Sequence, residues 1–320
     1  MNFSGAVAES GFPHRWVLTF VEHWLYRGKS PFQQIDIGEA GPLGRCLFLD
    51  GWLQLAEADE HIYHEHLVLP ALLAHPHPER VLVLGGGDGL AVREALRHRA
   101  VRQVTMVDID EQVVTACRTH LGSLQQGALD DPRVQVLIKD ARRYLRQIPA
   151  RFDVVLVDLV DFTPDSLALY ADILDHLPRV LQPGGIVVGH GPDPGPPHFT
   201  GLYLVAFLGQ RFPATAWFTG FVGSFGEPWT FVFAAAQPLW AALSPRAWQE
   251  RAKALVTPPR SFLPENLPAM LRHPSAEEER IRRFGQRPIT TLPEPAWHAR
   301  VLHAGAAQRL FTALRPPEET

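Results

Sequence analysis

Carboxylates recur at one kind of position in this sequence, close to the carboxyl end of a predicted buried strand. Four of them follow successive apolar runs, and a fifth comes three residues after the last: Asp88, Asp108, Asp140, Asp158 and Asp161. The carboxyl ends of the strands of an open parallel sheet meet at one edge, where ligands bind. Because no lysine or arginine is among the five, we expect a crevice that binds cations and removes a proton from one of them.

A glycine-rich loop, Gly-Gly-Gly-Asp-Gly at residues 85–89, stands between a predicted strand at 80–84 and a predicted helix. Such a loop lets a ligand approach the backbone closely. The carboxylate of Asp88 would repel a phosphate group, and the Lys-Ser/Thr pair that ends a nucleoside triphosphate loop is missing. The loop therefore favours a ligand with a cationic tail.

Two further carboxylates suit a nucleoside. Asp108 lies about 20 residues beyond the loop, where an acid accepts hydrogen bonds from ribose hydroxyls. Asp140 could accept a hydrogen bond from an exocyclic adenine amine. Any one of these residues could instead cap a helix, so the prediction of a site depends on their recurrence in one register.

A second cluster of side chains, on the first predicted helix, could in principle bind a metal. His61, His64 and Glu65 share one face of a helix predicted at residues 59–73. The His-Glu-x-x-His spacing and a clear third histidine ligand are missing from the sequence, so we expect no metal.

Alternating strands and helices between residues 80 and 188 must position these side chains. The strands lack polar alternation, which is typical of a parallel sheet covered by helices on both faces. Repeated strand–helix units of this kind predict an α/β protein with a doubly wound, mostly parallel sheet. Two later runs, at 215–222 and 229–235, predict an antiparallel hairpin at the edge of that sheet.

A small antiparallel β-domain is predicted before this region. Residues 31–55 contain short strands, and Asp50-Gly51 is a two-residue turn that favours a tight hairpin. Prolines at 76 and 78 end the helix that follows. We expect an N-terminal β-strand domain at residues 1–58 and a larger domain at 59–320 that ends in a helical tail, in which Ser244 caps a helix.

Composition limits the classes of partner. Hydrophobic residues make up 46% and charged residues 20% of the 320 residues, and the net charge is −4. This balance argues against a nucleic-acid-binding protein. No apolar run is long enough to cross a membrane and no secretory signal is visible, so we expect a cytoplasmic protein. The two cysteines, Cys46 and Cys117, are expected to be buried free thiols.

Several segments, in the same order, resemble the spermidine synthase family of polyamine aminopropyltransferases. The resemblance runs from about residue 29 to 188, and more weakly to about 274. It is carried by Ser30-Pro31-Phe32-Gln33, Leu49-Asp50-Gly51-Trp52-Leu53-Gln54, Asp59-Glu60, Tyr63-His64-Glu65, Gly85-Gly86-Gly87-Asp88-Gly89, Arg93-Glu94, Val107-Asp108-Ile109-Asp110, Asp130-Asp131-Pro132-Arg133-Val134 and Asp158-Leu159-Val160-Asp161.

The resemblance implies a Rossmann-like domain of the class I methyltransferase type, and a homodimer or homotetramer. It implies decarboxylated S-adenosylmethionine as co-substrate, a polyamine as acceptor and no metal. The implied site for the sulfonium nucleoside comprises Gln33, Gly85, Gly86, Gly87, Asp88, Asp108, Ile109, Asp140 and Ala141. Asp158, supported by Asp161 and Tyr63, would be the catalytic base, and Gln54, Tyr63, His64, Asp88, Asp158 and Asp161 would bind the amines.

The sequence departs from the usual family pattern at several places. Leu90 and Phe162 stand where the family commonly has glycine and proline. Gly189-His190-Gly191-Pro192 lacks the glutamine-rich form of putrescine-using members and is nearer to thermospermine-synthase-like and triamine-forming relatives, as is Gly223-Ser224-Phe225-Gly226. These segments suggest an acceptor other than putrescine, or several acceptors.

Two other hypotheses remain open. A methyltransferase could use ordinary S-adenosylmethionine on the same fold, although the carboxylate of that donor would lie near Asp88. A catalytically weak or silent homologue could bind nucleoside or polyamine without turnover.

Overall fold

Strands dominate the first 56 residues, and helices and strands alternate through the middle of the chain. The computed structural model describes residues 3–12, 15–149, 151–195, 199–292 and 298–314. Its strands are β1 (Gly5–Phe12), β2 (Arg15–Val21), β3 (His23–Lys29), β4 (Gln34–Glu39), β5 (Arg45–Leu49), β6 (Trp52–Ala56), β7 (Arg80–Gly85), β8 (Gln103–Asp108), β9 (Val134–Ile138), β10 (Phe152–Asp158), β11 (Leu181–Gly191), β12 (Ala214–Val222), β13 (Glu227–Ala235) and β14 (His298–His303).

The helices cover the large sheet and extend toward the C-terminus. They are α1 (Glu60–Ala74), α2 (Leu90–Leu96), α3 (Glu111–His120), α4 (Gly122–Gln125), α5 (Ala141–Gln147), α6 (Leu167–Val180), α7 (Thr200–Gly209), α8 (Pro245–Ala252), α9 (Leu267–Met270), α10 (Ser275–Gly285) and α11 (Ala304–Leu314).

The large sheet has the strand order β12-β13-β11-β10-β7-β8-β9 among the described residues. The strands from β11 to β9 are parallel, and the β12–β13 hairpin joins β11 in antiparallel pairing. Central β7 is apolar from Val81 to Leu84 because both of its faces are covered there. Val81 and Val83 pack on the side of α1, and Leu82 and Leu84 pack on the side of α6. This arrangement confirms the predicted doubly wound α/β sheet with an edge hairpin.

Strands β3 to β6 form a separate antiparallel sheet in chain order, which confirms the small N-terminal β-domain. The β5–β6 hairpin turns at Asp50 and Gly51, whose φ angles are 50° and 81°. Both values lie in the left-handed region, as a tight two-residue hairpin turn requires.

A third sheet joins the two ends of the chain, with strand order β14-β1-β2. The sequence did not predict the individual strands before residue 31. It also did not predict a strand in the C-terminal tail, because the whole tail was predicted to be helical. Strand β14 has no local signal because its partner, β1, is almost the whole chain away. The division at residue 58 stays a prediction, and α1 begins at Glu60.

Smaller predictions agree with the structure. The Ser244 side chain accepts a hydrogen bond from the Ala247 amide at 3.2 Å, and Pro245 is the first residue of α8. Cys46 and Cys117 are buried free thiols. Across the described ranges, no helix has the length and apolar character needed to span a membrane.

Candidate active site

A cavity of about 270 Å³ lies at the carboxyl ends of β7, β8 and β10, below the small β-domain. The residues expected at this edge, with the exception of His64, line it. The lining comprises Gln33, Leu47, Leu49, Leu53, Gln54, Tyr63, Gly85, Gly86, Gly87, Asp88, Val107, Asp108, Ile109, Val113, Lys139, Asp140, Ala141, Arg142, Asp158, Leu159, Val160, Asp161, Leu169, His190, Phe225 and Trp229.

The glycine loop crosses the end of β10 at very short range. The Gly86 amide donates to the Asp158 carbonyl at 2.9 Å, and a Cβ on Gly85 would lie 2.0 Å from that same oxygen. A Cβ on Gly87 would lie 2.7 Å from Oδ2 of Asp108. A side chain at position 85 is therefore excluded by the backbone, and a side chain at position 87 would displace the Asp108 carboxylate.

Asp88 is the first of four neighbouring side chains whose charges alternate, followed by His64, Glu60 and Arg93. Its Oδ1 accepts from the Leu90 amide at 2.8 Å, and its Oδ2 lies 3.6 Å from Nε2 of His64. Nδ1 of His64 lies 3.1 Å from Oε2 of Glu60, which Arg93 binds at 2.8 Å. Burial alone would lower the pKa of His64, but pairing with Asp88 and Glu60 outweighs burial and raises that pKa to about 10. His64 is thus an imidazolium that holds Asp88 from behind.

Asp158 carries the strongest perturbation among the cavity's aspartates. Its Oδ1 accepts a hydrogen bond from the Tyr63 hydroxyl at 2.7 Å, and its side chain is 9% exposed. Burial and the charge of Asp88 raise the pKa of Asp158, the His64 charge and the Tyr63 hydrogen bond lower it, and the result is about 7. A carboxylate with such a pKa is basic enough to accept a proton near neutral pH.

Two more carboxyl groups have raised pKa values: Asp161 lines the cavity, whereas Glu9 is not among its lining residues. Burial raises the pKa of Asp161 to about 6. Glu9, on β1, accepts a hydrogen bond from the Leu53 amide at 2.7 Å. Burial raises the pKa of Glu9 to about 7 against this hydrogen bond, and the charge of Asp161 contributes. The motifs did not reveal Glu9, because it lies before every segment that carried a signal.

A further set of lining residues is suited to a ribose. Burial raises the pKa of Asp108 to about 6, although Oδ1 accepts the Asp110 amide at 2.8 Å. Gln33 donates Nε2–H to Oδ2 of Asp110 at 2.9 Å, and Ser30 donates its hydroxyl to the same oxygen at 2.6 Å. Asp110 also caps α3 through the Gln112 amide. Gln33 and Asp108 are therefore held at one side of the cavity by a shared partner.

The expectation that basic residues would be absent is wrong at Asp140. Lys139 and Arg142 line the cavity beside it, and Arg142 binds Asp140 with two nitrogens, at 2.7 and 3.2 Å. Asp140 also caps α5 through the Arg142 amide, so a basic residue in the first helical turn reaches back to its cap. The hydrogen bonds from Arg142 keep the pKa of Asp140 below its ordinary value. Ile109 is 42% exposed nearby and offers an apolar surface.

An aromatic wall faces Asp158. We use this name for Tyr63, His190, Phe225 and Trp229, whose rings contact one another. The Trp229 indole donates to Nδ1 of His190 at 3.2 Å, so the proton of a neutral imidazole lies on Nε2. Burial lowers the pKa of His190 to about 4, which keeps the ring neutral. Its Nε2 lies 3.7 Å from Oδ1 of Asp158, and the Leu159 backbone opposes the effect of burial on the pKa of His190.

The alternative metal cluster does not converge in the structure. Glu65 turns away from His64 and accepts hydrogen bonds from the backbone amides of Arg260, Ser261 and Phe262 at 2.6 to 3.0 Å. The side chain of Glu65 therefore anchors the segment after α8 and does not face the cavity.

Comparison with known families agrees with this geometry. The model described as "Spermine/spermidine synthase domain" matches residues 60–232, which is more than half of the chain, and the "Spermidine synthase tetramerisation domain" matches residues 12–57. The chain belongs to the spermine/spermidine synthase family.

Curated proteins that are similar to this chain are named polyamine aminopropyltransferases. The chain is 40% identical over 218 residues to polyamine aminopropyltransferase 2 of Pseudomonas aeruginosa, covering 66% of this chain and 62% of that protein. It is 47% identical over 174 residues to polyamine aminopropyltransferase 1 of Hyperthermus butylicus, covering 52% and 60%. It is 38% identical over 229 residues to the enzyme of Aeropyrum pernix, covering 70% and 72%. The chain thus spans about three fifths of the length of the first two relatives.

Solved spermidine synthases have the same fold as this family member. The crystal structure of the Thermotoga maritima enzyme superposes with a TM-score of 0.73 at 26% identity, covering 84% of this chain and 90% of that one. A spermidine synthase in complex with the transition state analogue AdoDATO superposes with a TM-score of 0.75 at 26% identity, covering 84% and 92%.

Two of the departures from the family pattern, Leu90 and Phe162, are core residues. Leu90 is fully buried against the small β-domain, near Ile35 and Leu47. Phe162 is fully buried and contacts Tyr170 and Phe207. Neither residue lines the cavity, so neither narrows the space for a ligand.

Removing the Tyr63 hydroxyl is expected to shift the pH dependence of this family member. A carboxyl group with a raised pKa is ionised only above that pKa, so a step that needs ionised Asp158 is lost as pH falls through about 7. Tyr63→Phe removes a hydrogen bond that favours the ionised form, and the ascending limb of kcat/KM should move upward by about one pH unit.

The control is Tyr203→Phe, which removes a hydroxyl from a ring stacked on Phe284. This variant should keep the parental profile. An unshifted profile in Tyr63→Phe would show that the hydroxyl does not set the charge of Asp158.

Proposed function

We propose that this chain is a polyamine aminopropyltransferase that uses decarboxylated S-adenosylmethionine. The observation that carries the proposal is the convergence of Asp88, Asp158 and Asp161 on one cavity. Such a cavity suits a substrate pair that carries several positive charges and suits no phosphate-bearing ligand.

The donor would occupy the side of the cavity along β7 and β8. Gln33 and Asp108 would hold the ribose, Asp140 and Ala141 would contact the adenine, and Ile109 would pack on its ring. The glycines of the loop would allow the sulfonium group to approach the backbone. Asp88 would bind the terminal ammonium of the aminopropyl arm, and His64 would act through Asp88 as a positioning residue.

The acceptor amine would enter from the end of the cavity that Asp161 lines. It is protonated in water and must lose a proton before it attacks. Asp158 would take that proton, while Tyr63 keeps the carboxylate oriented. The amine nitrogen then bonds to the arm carbon next to sulfur, the carbon–sulfur bond breaks with its electron pair passing to sulfur, and neutral 5'-methylthioadenosine leaves.

We further propose an acceptor other than putrescine, or several acceptors, as in triamine-forming relatives. The support is the aromatic wall. His190 offers an N–H donor beside Asp158, whereas an ammonium group needs acceptors. Aromatic faces can bind the charged or methylene parts of a longer amine.

His190→Gln tests this proposal. The amide oxygen of glutamine accepts hydrogen bonds from an ammonium group, so the ratio of kcat/KM for putrescine to kcat/KM for spermidine should rise about tenfold. His176→Gln, on the outer helix α6, is the matched control and should leave the ratio unchanged. An equal effect of His190→Gln on both amines would remove the proposed role in acceptor choice.

Product mass tests the function itself. The protein is incubated with decarboxylated or ordinary S-adenosylmethionine and with putrescine, agmatine, spermidine and longer amines. Growth of an amine by one aminopropyl unit, with the decarboxylated donor only, is expected. Growth by one methyl group would favour a methyltransferase, and binding of nucleoside without any product would favour a silent homologue.

The match to a tetramerisation domain supports an oligomer, and we propose a homodimer or homotetramer, to be distinguished by light scattering in solution. A cytoplasmic location stays a prediction.

A further inference from the structure

A second cavity, of about 520 Å³, lies beside α2, the helix that follows the glycine loop. Its other walls are the turn after α4 and the segment after α8. None of its residues lines the active-site cavity. Its charged lining comprises four arginines and two acids, namely Arg93, Arg97, Arg133, Arg260, Glu94 and Asp131. The lining is therefore positive in a chain whose net charge is −4.

Arg260 is the arginine of this lining that is most available to a ligand. Arg133 is bound by both oxygens of Asp131 at 2.9 Å. The Arg260 side chain is 61% exposed, and Glu60 provides the one carboxylate oxygen within ion-pair distance of it among the described residues, at 3.9 Å. That carboxylate already accepts hydrogen bonds from Arg93 at 2.9 and 2.8 Å.

The backbone that carries Arg260 is firmly held. Glu65 accepts the amide of Arg260 at 2.6 Å and that of Ser261 at 2.8 Å. Arg97 donates to the Pro258 carbonyl at 2.8 Å. The cavity is therefore formed in advance, which lowers the ordering cost of binding a small ligand.

Direct contacts connect this cavity to Asp88. Gln125, which lines the cavity, donates Nε2–H to the Asp88 carbonyl at 2.6 Å. Arg93, which also lines it, is the outer member of the four side chains whose charges alternate, and Glu60 and His64 lie between Arg93 and Asp88. A charge placed in the cavity thus acts on the outer end of the network that holds Asp88.

The ionised groups of this network balance one another. Its four cations are His64, Arg93, Arg97 and Arg260, and its four anions are Asp88, Glu60, Glu65 and Glu94. An ammonium group bound by Asp88 leaves one positive charge in excess, which an anion beside Arg260 would offset. Because coupling between two sites is reciprocal, that anion would raise the affinity for the ammonium group by the same factor.

We propose that the second cavity binds a small oxyanion, a phosphate or a carboxylate, at Arg260, and that the bound anion strengthens binding of the donor ammonium at Asp88. A guanidinium group pairs with two oxygens of either anion, which is the reason for this class of ligand. The anion site is independent of the proposed function, whereas its effect on the donor rests on that function.

Titration calorimetry at constant ionic strength tests the site. Inorganic phosphate should bind at a single site with a Kd of about 1 mM, and Arg260→Gln should weaken that binding about tenfold. Arg102→Gln, which changes a 77% exposed arginine outside the cavity, is the matched control and should keep the parental Kd. Acetate, titrated in the same way, distinguishes a carboxylate site from a phosphate site. Binding of neither anion, or equal binding by the parent and Arg260→Gln, would overturn the proposal.

His64→Gln tests the charge balance without any turnover. The variant removes one positive charge from the network, so phosphate affinity should fall about threefold, a modest factor because water screens the exposed Arg260. An unchanged phosphate affinity in this variant would contradict the coupling between the two sites.

Donor binding supplies the last measurement. Saturating phosphate should lower the Kd of the decarboxylated donor about threefold in the parent and leave it unchanged in Arg260→Gln. Methylthioadenosine lacks the ammonium group and should bind equally with and without phosphate. An equal effect on both nucleosides would overturn the coupling through Asp88. Phosphate binding at Arg260 by a protein that does not bind the decarboxylated donor would overturn the proposed function and the coupling, and would leave the anion site in place.

Discussion

Asp158→Asn is expected to lower kcat for aminopropyl transfer about a thousandfold, within the range that a positioned general base contributes. Asparagine keeps the shape of the side chain and can still accept from the Tyr63 hydroxyl, but it cannot take a proton from the acceptor amine. Steady-state rates and the affinity for methylthioadenosine together check the prediction. The affinity should be retained because Asp158 is assigned to the acceptor side.

Misfolding is not expected to explain that loss. A carboxyl group whose pKa is raised in the folded protein destabilises it as pH rises through that pKa. The neutral Asp158→Asn side chain escapes this cost, so its melting temperature at pH 8 should be no lower than that of the parent. Asp175→Asn, an exposed partner of Arg211, is the control for rate. Turnover at the parental rate in Asp158→Asn would show that the base lies elsewhere.

Asp88→Asn is expected to raise the KM for the decarboxylated donor about 100-fold, which corresponds to about 2.7 kcal/mol. Two unit charges 4 Å apart at an effective dielectric near 20 interact by about 4 kcal/mol, and the paired His64 imidazolium offsets part of that attraction. Methylthioadenosine lacks the ammonium group, so its affinity should change less than threefold. That corresponds to a binding free energy change on the order of 0.5 kcal/mol, which is typical of a substitution away from the bound group.

The same variant tests donor choice. With Asp88 neutral, the positive charge of His64 would favour a donor that carries a carboxylate, so competition by ordinary S-adenosylmethionine should strengthen. Asp130→Asn, 75% exposed beside Arg118, should leave both donors unaffected. Equal weakening of both donors would assign Asp88 to loop structure and not to recognition of charge.

Periodicity and strand-end acids predicted most of the large domain. The run at residues 81–84 contains no polar residue, and the structure places it in the interior of the sheet. Because carboxyl ends of parallel strands share an edge, Asp108 and Asp158 could be predicted to meet without knowledge of any distance. The β12–β13 hairpin was equally visible, since it is local and bounded by a turn.

Contacts between distant segments were beyond such reasoning. Glu9 stands in a strand whose partners are β2 and β14, and nothing near residue 9 indicates that its carboxylate reaches Leu53. The place of Arg142 in the cavity lining was missed for a similar reason. Its position two residues after the Asp140 cap is clear from the sequence, but its approach to the cavity depends on how α5 leaves the sheet. His64 was predicted to bind substrate, whereas the structure places it behind Asp88.

The hydrogen bond from Gly86 to the Asp158 carbonyl has a consequence for how such enzymes can diversify. It ties the loop that would cradle the donor to the strand end that would carry the base, so a backbone adjustment that suits a new amine would also disturb the nucleoside. New specificities should therefore arise through side-chain replacements among His190, Phe225 and Trp229. A family that changes amines while retaining one donor would vary most at these three positions.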